Sequence, residues 1–447
     1  MKSPRWSKLA LICLPLLALG VLGGLSSQAN AQDVKMDEAV SSNPEHLSQD
    51  ELDSDERDFL LPEEGVLERR YRARARNQRS TGQGILGAAT QNGIQFSRAC
   101  DAGKRLTIAA VGDVLLHSPL AKQGLSDREG FSSLWSGVAP LLSQADVTYA
   151  NLEGPAAGAV ASNGKVTRDP GRVFDGVAYS SYPMFNYHPS LIKDLVSSGI
   201  DVVSTANNHA IDRRALGADR TIENLKAAGL PHSGTRSSNG QGNWFTTTTS
   251  NGFTLAWIAC TFSTNGISDT NAQVFKCYEQ KAELLSLVKQ LSKNTQVDAV
   301  IVTPHWGEEY ETTPRAQEKV LAHSILDAGA TAILGSHPHV LQPMEKYKTQ
   351  DGREAFIIYS LGNFVSGQKQ LPRRTAALVY LGLTRGSDGK VFVNGARFVP
   401  TEMTYGAKMN LVPRDSAGES RSFALQILGS GNVMKSTDRV DTTPQCD

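Results

Sequence analysis

Neither sign of charge is in excess here: 45 lysines and arginines face 45 aspartates and glutamates across 447 residues. That balance provides no basic footprint for a phosphate backbone, so nucleic acid is excluded as an expected partner. No C-x-x-C pair occurs among the five cysteines, which argues against a thiolate metal site. The part that reads as folded has no internal repeat. From Gln32 to about Arg79, aromatic and branched residues are scarce. Acids crowd Asp50–Glu68, and the sign then reverses in Glu68-Arg-Arg-Tyr-Arg-Ala-Arg-Ala-Arg76. Too little apolar surface is present for a core, so residues 32–100 are expected to be a disordered, solvated linker.

The first residues do have a pattern. Lys2, Arg5 and Lys8 precede an uncharged run, Leu9–Leu25, and Ala29-Asn-Ala31 has the small-x-small form of a signal-peptidase site. Residues 1–31 therefore read as an export signal. The run is also nearly long enough to be kept as a membrane anchor. Either way the protein is expected outside the cytoplasmic membrane, in the periplasm or at the cell surface. Beyond Cys13 of this run, Cys100, Cys260, Cys277 and Cys446 suit two disulfides in an oxidising compartment. Cys260 with Cys277 would close a local loop, and Cys100 with Cys446 would tie the domain's entry to its end. Three pairings remain open.

From residue 101 to 447 the texture is that of one α/β domain. Short apolar runs, strand-like, alternate with segments of helical period. The chemistry-bearing residues recur at one place in each unit, just beyond the apolar run. Asp113 follows Leu106–Val111, Asn151 and Glu153 follow Val147–Ala150, and Asn208 with His209 follow Val202–Ser204. His305 follows Ala299–Thr303, His337 and His339 follow Thr331–Leu334, and Asn363 follows Ala355–Ser360. In an open α/β sheet the loops past the carboxyl ends of parallel strands share one crevice, so these residues are expected to converge.

Two carboxylates, an asparagine and several imidazoles form a donor set for a borderline divalent metal such as Zn, Mn or Fe. So many histidines argue against calcium and magnesium, which prefer all-oxygen shells. Taken singly, each residue has a plainer use: Asp113 as a helix cap, Asn151 and Asn208 in turns, His305 as a core histidine beside Trp306.

The ordered series Gly112-Asp113, Asn151-Leu-Glu153, Asn207-Asn-His209, His305-Trp-Gly307, Gly335-Ser-His-Pro-His-Val-Leu-Gln342 and Ser360-Leu-Gly-Asn-Phe364 resembles the CapA family of poly-γ-glutamate capsule biosynthesis proteins. The resemblance covers roughly Arg105–Val365. It implies a calcineurin-like metallophosphoesterase-type α/β sandwich around a pair of divalent metal ions. It also implies Asp113 on the first metal, Glu153 bridging, Asn208 and His305 on the second, and His337 and His339 completing the pair. His209 takes the position that protonates or orients the reacting group, and Asp212 either orients His209 or caps the following helix. Asn151 and Asn363 are substrate-side candidates.

Two departures stand out. His117 lies too far beyond Asp113 for the family's first histidine, and Arg214 replaces the glycine usual after Asp212.

The expected role is the synthesis, export or attachment of an anionic extracellular polymer by metal-dependent hydrolysis or transfer. Two alternatives stay open. One is a non-catalytic subunit of a membrane-bound polymer synthase, and the other is a phosphoesterase with no capsule role.

Overall fold

The computed structural model describes residues 93–446, so the export signal and nearly all of the charged linker lie outside the described residues. All of these residues fall within one compact unit. Gly93–Cys100, assigned from sequence to the linker, are part of the packed domain. Phe96 and Ala99 are buried, the Ile94 amide donates to Asn432 Oδ1, and the Ser97 amide donates to Glu354 Oε2. Cys100 is bonded to Cys446, and Cys260 to Cys277.

The chain lays down β1 (Gly103–Leu115), β2 (Val147–Leu152), β3 (Val202–Ser204) and β4 (His232–Ser233). It then builds β5 (Phe245–Ser250), β6 (Phe253–Thr261), β7 (Ala299–His305), β8 (Ala332–Leu334), β9 (Leu341–Lys348) and β10 (Glu354–Leu361). Finally it returns through β11 (Asn363–Ser366), β12 (Thr375–Gly386), β13 (Val391–Thr404) and β14 (Asn410–Pro413). The first and last groups share an eight-stranded sheet in the order β14-β13-β12-β1-β2-β3-β4, with β11 beside β1. The middle group forms a six-stranded sheet, β5-β6-β7-β8-β10-β9. The strands that carry the site, β1-β2-β3 and β6-β7-β8, are mutually parallel within their sheets.

Alternation along the strands explains the layering. Leu106, Ile108 and Ala110 of β1 meet Leu255, Trp257 and Ile301 of the second sheet in one core, where Tyr149 stacks on Trp257 with centroids 5.6 Å apart. The intervening Ala109 and Val111 face a separate core with Leu120 and Leu125 of the helix Ser118–Ser126 and Leu191 and Leu195 of the helix Ser190–Ser197. The second sheet's outer face is covered by Leu284 and Val288 of Lys281–Ser292 and Leu321 and Ile325 of Ala316–Asp327. The result is the expected α/β sandwich, with two face-to-face sheets and helices outside.

Candidate metal centre

The strand ends converge where the two sheets meet. β1 runs past its expected end and carries Asp113 within it, at a break in register against β2 and β11. Such a bulge re-aims the side chain that follows. Gly112 permits it: a Cβ there would lie 1.8 Å from the Gly362 carbonyl oxygen, which accepts the Asp113 amide at 3.1 Å. On the other sheet, His337 and His339 flank Pro338 with φ of 102° and 57°. Left-handed backbone at two non-glycine residues is strain of the sort concentrated at binding sites.

Asp113 Oδ1 accepts from Asn151 Nδ2 at 2.7 Å, and its Oδ2 lies 3.2 Å from His339 Nδ1. His305 Nε2 is 2.7 Å from Asn208 Oδ1, 3.2 Å from His337 Nδ1 and 3.5 Å from Glu153 Oε1. His339 Nε2 lies 3.8 Å from the same Glu153 oxygen. Glu153 is fully buried, yet neither carboxylate oxygen has a hydrogen-bond partner. A buried carboxylate in that state costs several kcal/mol, of the order given for an uncompensated buried ion, unless a cation accompanies it.

Among the described residues two donor groups have ligand atoms within 4.8 Å of one another: Glu153 with His305 and His337, and Asp113 with Glu153 and His339. Glu153 belongs to both. Buried, mixed nitrogen and oxygen donors with an orphaned shared carboxylate fit a divalent metal.

The acids and imidazoles of the site shift one another. Burial opposes ionisation of Asp113, but the hydrogen bond and charge of His339, with His305 beyond, hold its carboxyl below the usual range. Burial likewise opposes a charged His339, yet Glu153 and Asp113 raise it to about 9. His337 goes the other way, pushed well down by burial and then by His305 and His339.

His209 stands outside both groups. Its Nδ1 is 2.8 Å from Asp212 Oδ2, which also accepts the Phe185 amide at 2.7 Å, and its ring meets Phe185 edge-on. The helix Arg214–Ala227 has Arg213 at its cap with no side-chain cap bond. Asp212 therefore orients His209 rather than capping that helix. Burial works against protonated His209, but the Asp212 charge and hydrogen bond outweigh it and raise its pKa.

Asn151 and Asn363, the substrate-side candidates, lie behind the donors instead. Asn151 is fully buried, and its Oδ1 takes the Ser204 hydroxyl at 2.6 Å while Nδ2 serves Asp113. Asn363 Oδ1 is 3.0 Å from His339 Nδ1, and its Nδ2 donates to the Arg373 carbonyl at 2.9 Å. Both side chains have their polar atoms engaged with the donor residues and the groups around them.

A cavity of about 130 Å³ opens beside the donors, with His209 and His339 in its wall. His117 lines it too, with Nδ1 accepting the Gly367 amide at 3.1 Å; burial drives its pKa down to about 3. Tyr310, Gln368, Gln370 and Arg373 complete one side. Sequence reasoning passed over these four residues, since none follows an apolar run, and set His117 aside.

A sequence model of the family described as bacterial capsule synthesis protein PGA_cap matches residues 107–368. The chain belongs to this family. The PGA_cap match contains every donor named above, and the CapA resemblance read from the motifs is borne out. The chain is 30% identical over 298 residues to the capsule biosynthesis protein CapA of Bacillus anthracis, covering 62% of this chain and 63% of that one. It is 27% identical over 305 residues to the PGA biosynthesis protein CapA of Bacillus subtilis (strain 168), covering 64% and 70%. Among solved structures, sulfate thiohydrolase SoxB of Thermus thermophilus is similar with a TM-score of 0.39 and 11% identity, covering 73% of this chain and 60% of that one.

Proposed function

We propose that this PGA_cap protein acts outside the cytoplasmic membrane in the synthesis, export or attachment of an anionic surface polymer of the poly-γ-glutamate kind. In this reading its buried donors hold two divalent ions that share Glu153 and promote hydrolysis or transfer at an amide or phosphoester. The single observation that carries the metal reading is Glu153, fully buried, shared by two donor groups and with neither oxygen hydrogen-bonded. Metal bound there would lower the pKa of a coordinated water and polarise the scissile group. The chain's own part is to hold that group in the cavity and to supply a proton. His209, raised and oriented by Asp212, is the imidazole placed to donate it to the leaving atom. Membrane-bound polymer synthase subunits are the partners this reading implies.

Elemental analysis of the protein made in an oxidising compartment tests it, beside a His337→Ala/His339→Ala variant. One to two equivalents of Mn, Zn or Fe in the wild type, lost from the variant, are expected. A folded wild type that takes up none of the three would leave the protein a scaffold.

A further inference from the structure

A second cavity, of about 340 Å³ against about 130 Å³ for the one beside the donors, shares no residue with the metal centre. It lies where both sheets stop, since β4 ends the eight-stranded sheet and β5 ends the six-stranded one. His232 of β4 lines it, with Phe245 and Thr246 of β5, Arg236 from the loop between them, and Lys226 from the helix Arg214–Ala227. None of the residues around it is an acid.

Its nitrogen groups are unspent. The Lys226 ammonium and the partly buried His232 ring have no hydrogen-bond or ion-pair partner among the described residues. The Arg236 guanidinium lies over the Trp244 ring, 4.2 Å from the centroid, and its Nε donates to the Ala272 carbonyl at 2.9 Å. Those two contacts fix its plane and leave both terminal nitrogens without a partner among the described residues, in a fork that matches carboxylate or phosphate oxygens. The acids of the neighbouring helix do not fill the gap. Asp219 accepts the Ser238 amide and hydroxyl at 2.8 and 2.6 Å, and Glu223 is exposed and outside the lining. Burial, and then Lys226, lowers His232 to about 4, and a neutral imidazole still has one N–H to give.

We propose that Lys226, His232 and Arg236 form an anion-binding site, separate from the metal centre, that takes a carboxylate or phosphate group. Lys226 and Arg236 supply the charge, and the His232 N–H supplies direction. The site owes nothing to the metal donors. On a polymer of repeated negative charge it gives the protein a second hold on the chain, and that consequence alone rests on the proposed function.

The test reads the His232 ring by NMR in the full-length protein, stripped of metal with a chelator so that the donors play no part. The chain has nine histidines, and the His232 signals are those missing from His232→Gln. A readout at this ring also leaves out any anion drawn to the arginine-rich block Glu68–Arg76. The probes are tetra-γ-glutamate and inorganic phosphate, each titrated to millimolar concentration. A saturable shift of the His232 signals is expected. Its midpoint should rise by about tenfold or more in Lys226→Met/Arg236→Met, which keeps both stems and removes both charges, with the melting temperature unchanged. If that double variant melts early, Lys226→Met alone, at an exposed position, should still raise the midpoint by about threefold. A shift with the oligomer alone assigns a carboxylate chain, with phosphate alone a phosphate group, and with both a general anion site. The proposal is overturned if neither probe moves the wild-type signals, or if removing the charges leaves the midpoint where it was. A protein that takes up no metal and still shows the shift would sink the metal reading and leave this one standing.

Discussion

The two sheets contribute different chemistry to the same place. The eight-stranded sheet supplies oxygen donors: Asp113 in β1, Glu153 just past β2 and Asn208 just past β3. The six-stranded sheet supplies imidazoles: His305 at the end of β7, then His337 and His339 beyond β8. Either set alone would be poor, since buried acids repel one another and buried imidazoles lose their charge. His337 shows the second effect directly. The centre therefore depends on the packing between the sheets, where Tyr149 lies flat on Trp257.

Breaking the shared acid should have the largest effect. Glu153→Gln is expected to empty both donor groups, whereas His337→Ala and His339→Ala should each impair one, as read by metal equivalents per chain. With metal the same variant should also abolish the rise in melting temperature that the ion gives the wild type. Unchanged metal content in Glu153→Gln would mean that the two groups do not share it.

Next in size is the acid that neither donor group includes. His209→Ala should leave metal content intact and cut any turnover found with γ-glutamyl or phosphoester substrates by ~10²–10⁴-fold. Asp212→Asn should cut it less, because the ring remains but loses its orienting partner. Equal turnover in His209→Ala and the wild type would move the proton donor elsewhere.

The donors were legible because each sits at the end of an apolar run whose period already showed a strand. Asp113, Glu153, His305 and His337 needed only the rule that parallel strand ends converge. The other side of the cavity was not legible. Arg373, in the one-turn helix Leu371–Arg374, and Tyr310, in a loop, lie 63 positions apart, and the ring contact between them is a product of tertiary packing. His117 lines the cavity but joins neither donor group. Asn151 and Asn363 were legible as site residues but not as supports, because a side chain's partners are decided by the fold. The segment Gly93–Cys100 looked like linker by composition, and only its pairing with Asn432, Glu354 and Cys446 makes it part of the domain.

Histidines sharpen the contrast between the sheets at a smaller scale. His339 is raised to about 9 by the acids around it, whereas His232 in β4 is lowered to about 4 by burial and then by Lys226. A histidine that refuses a proton when folded loses stability as pH falls. Between about pH 6.5, where the unfolded chain begins to take the proton, and about pH 4, stability should drop by up to about 1.4 kcal/mol per pH unit on this account. Denaturant titrations across that window should show a flatter pH dependence in His232→Gln. An unchanged slope would mean that the imidazole is solvated.

The smallest effect is expected at Arg214, on the first-sheet side, where the family usually has glycine. Its φ is 56°, a left-handed conformation that costs a β-carbon about 1–2 kcal/mol. Its stem, though, lies against Gly164, where an added Cβ would come within 2.8 Å of Arg214 Cβ. Arg214→Gly relieves the backbone, loses that stem contact, and widens the unfolded ensemble, so the net gain should not exceed about 1 kcal/mol. The comparison with His337 is what makes the experiment useful. Both residues are left-handed, but only His337 belongs to a donor group. Glycine should therefore be tolerated at 214 with metal content unchanged, and at 337 it should empty one group. A loss of metal in Arg214→Gly would mean that the strained turn after Asp212 helps to set the donors on the first sheet.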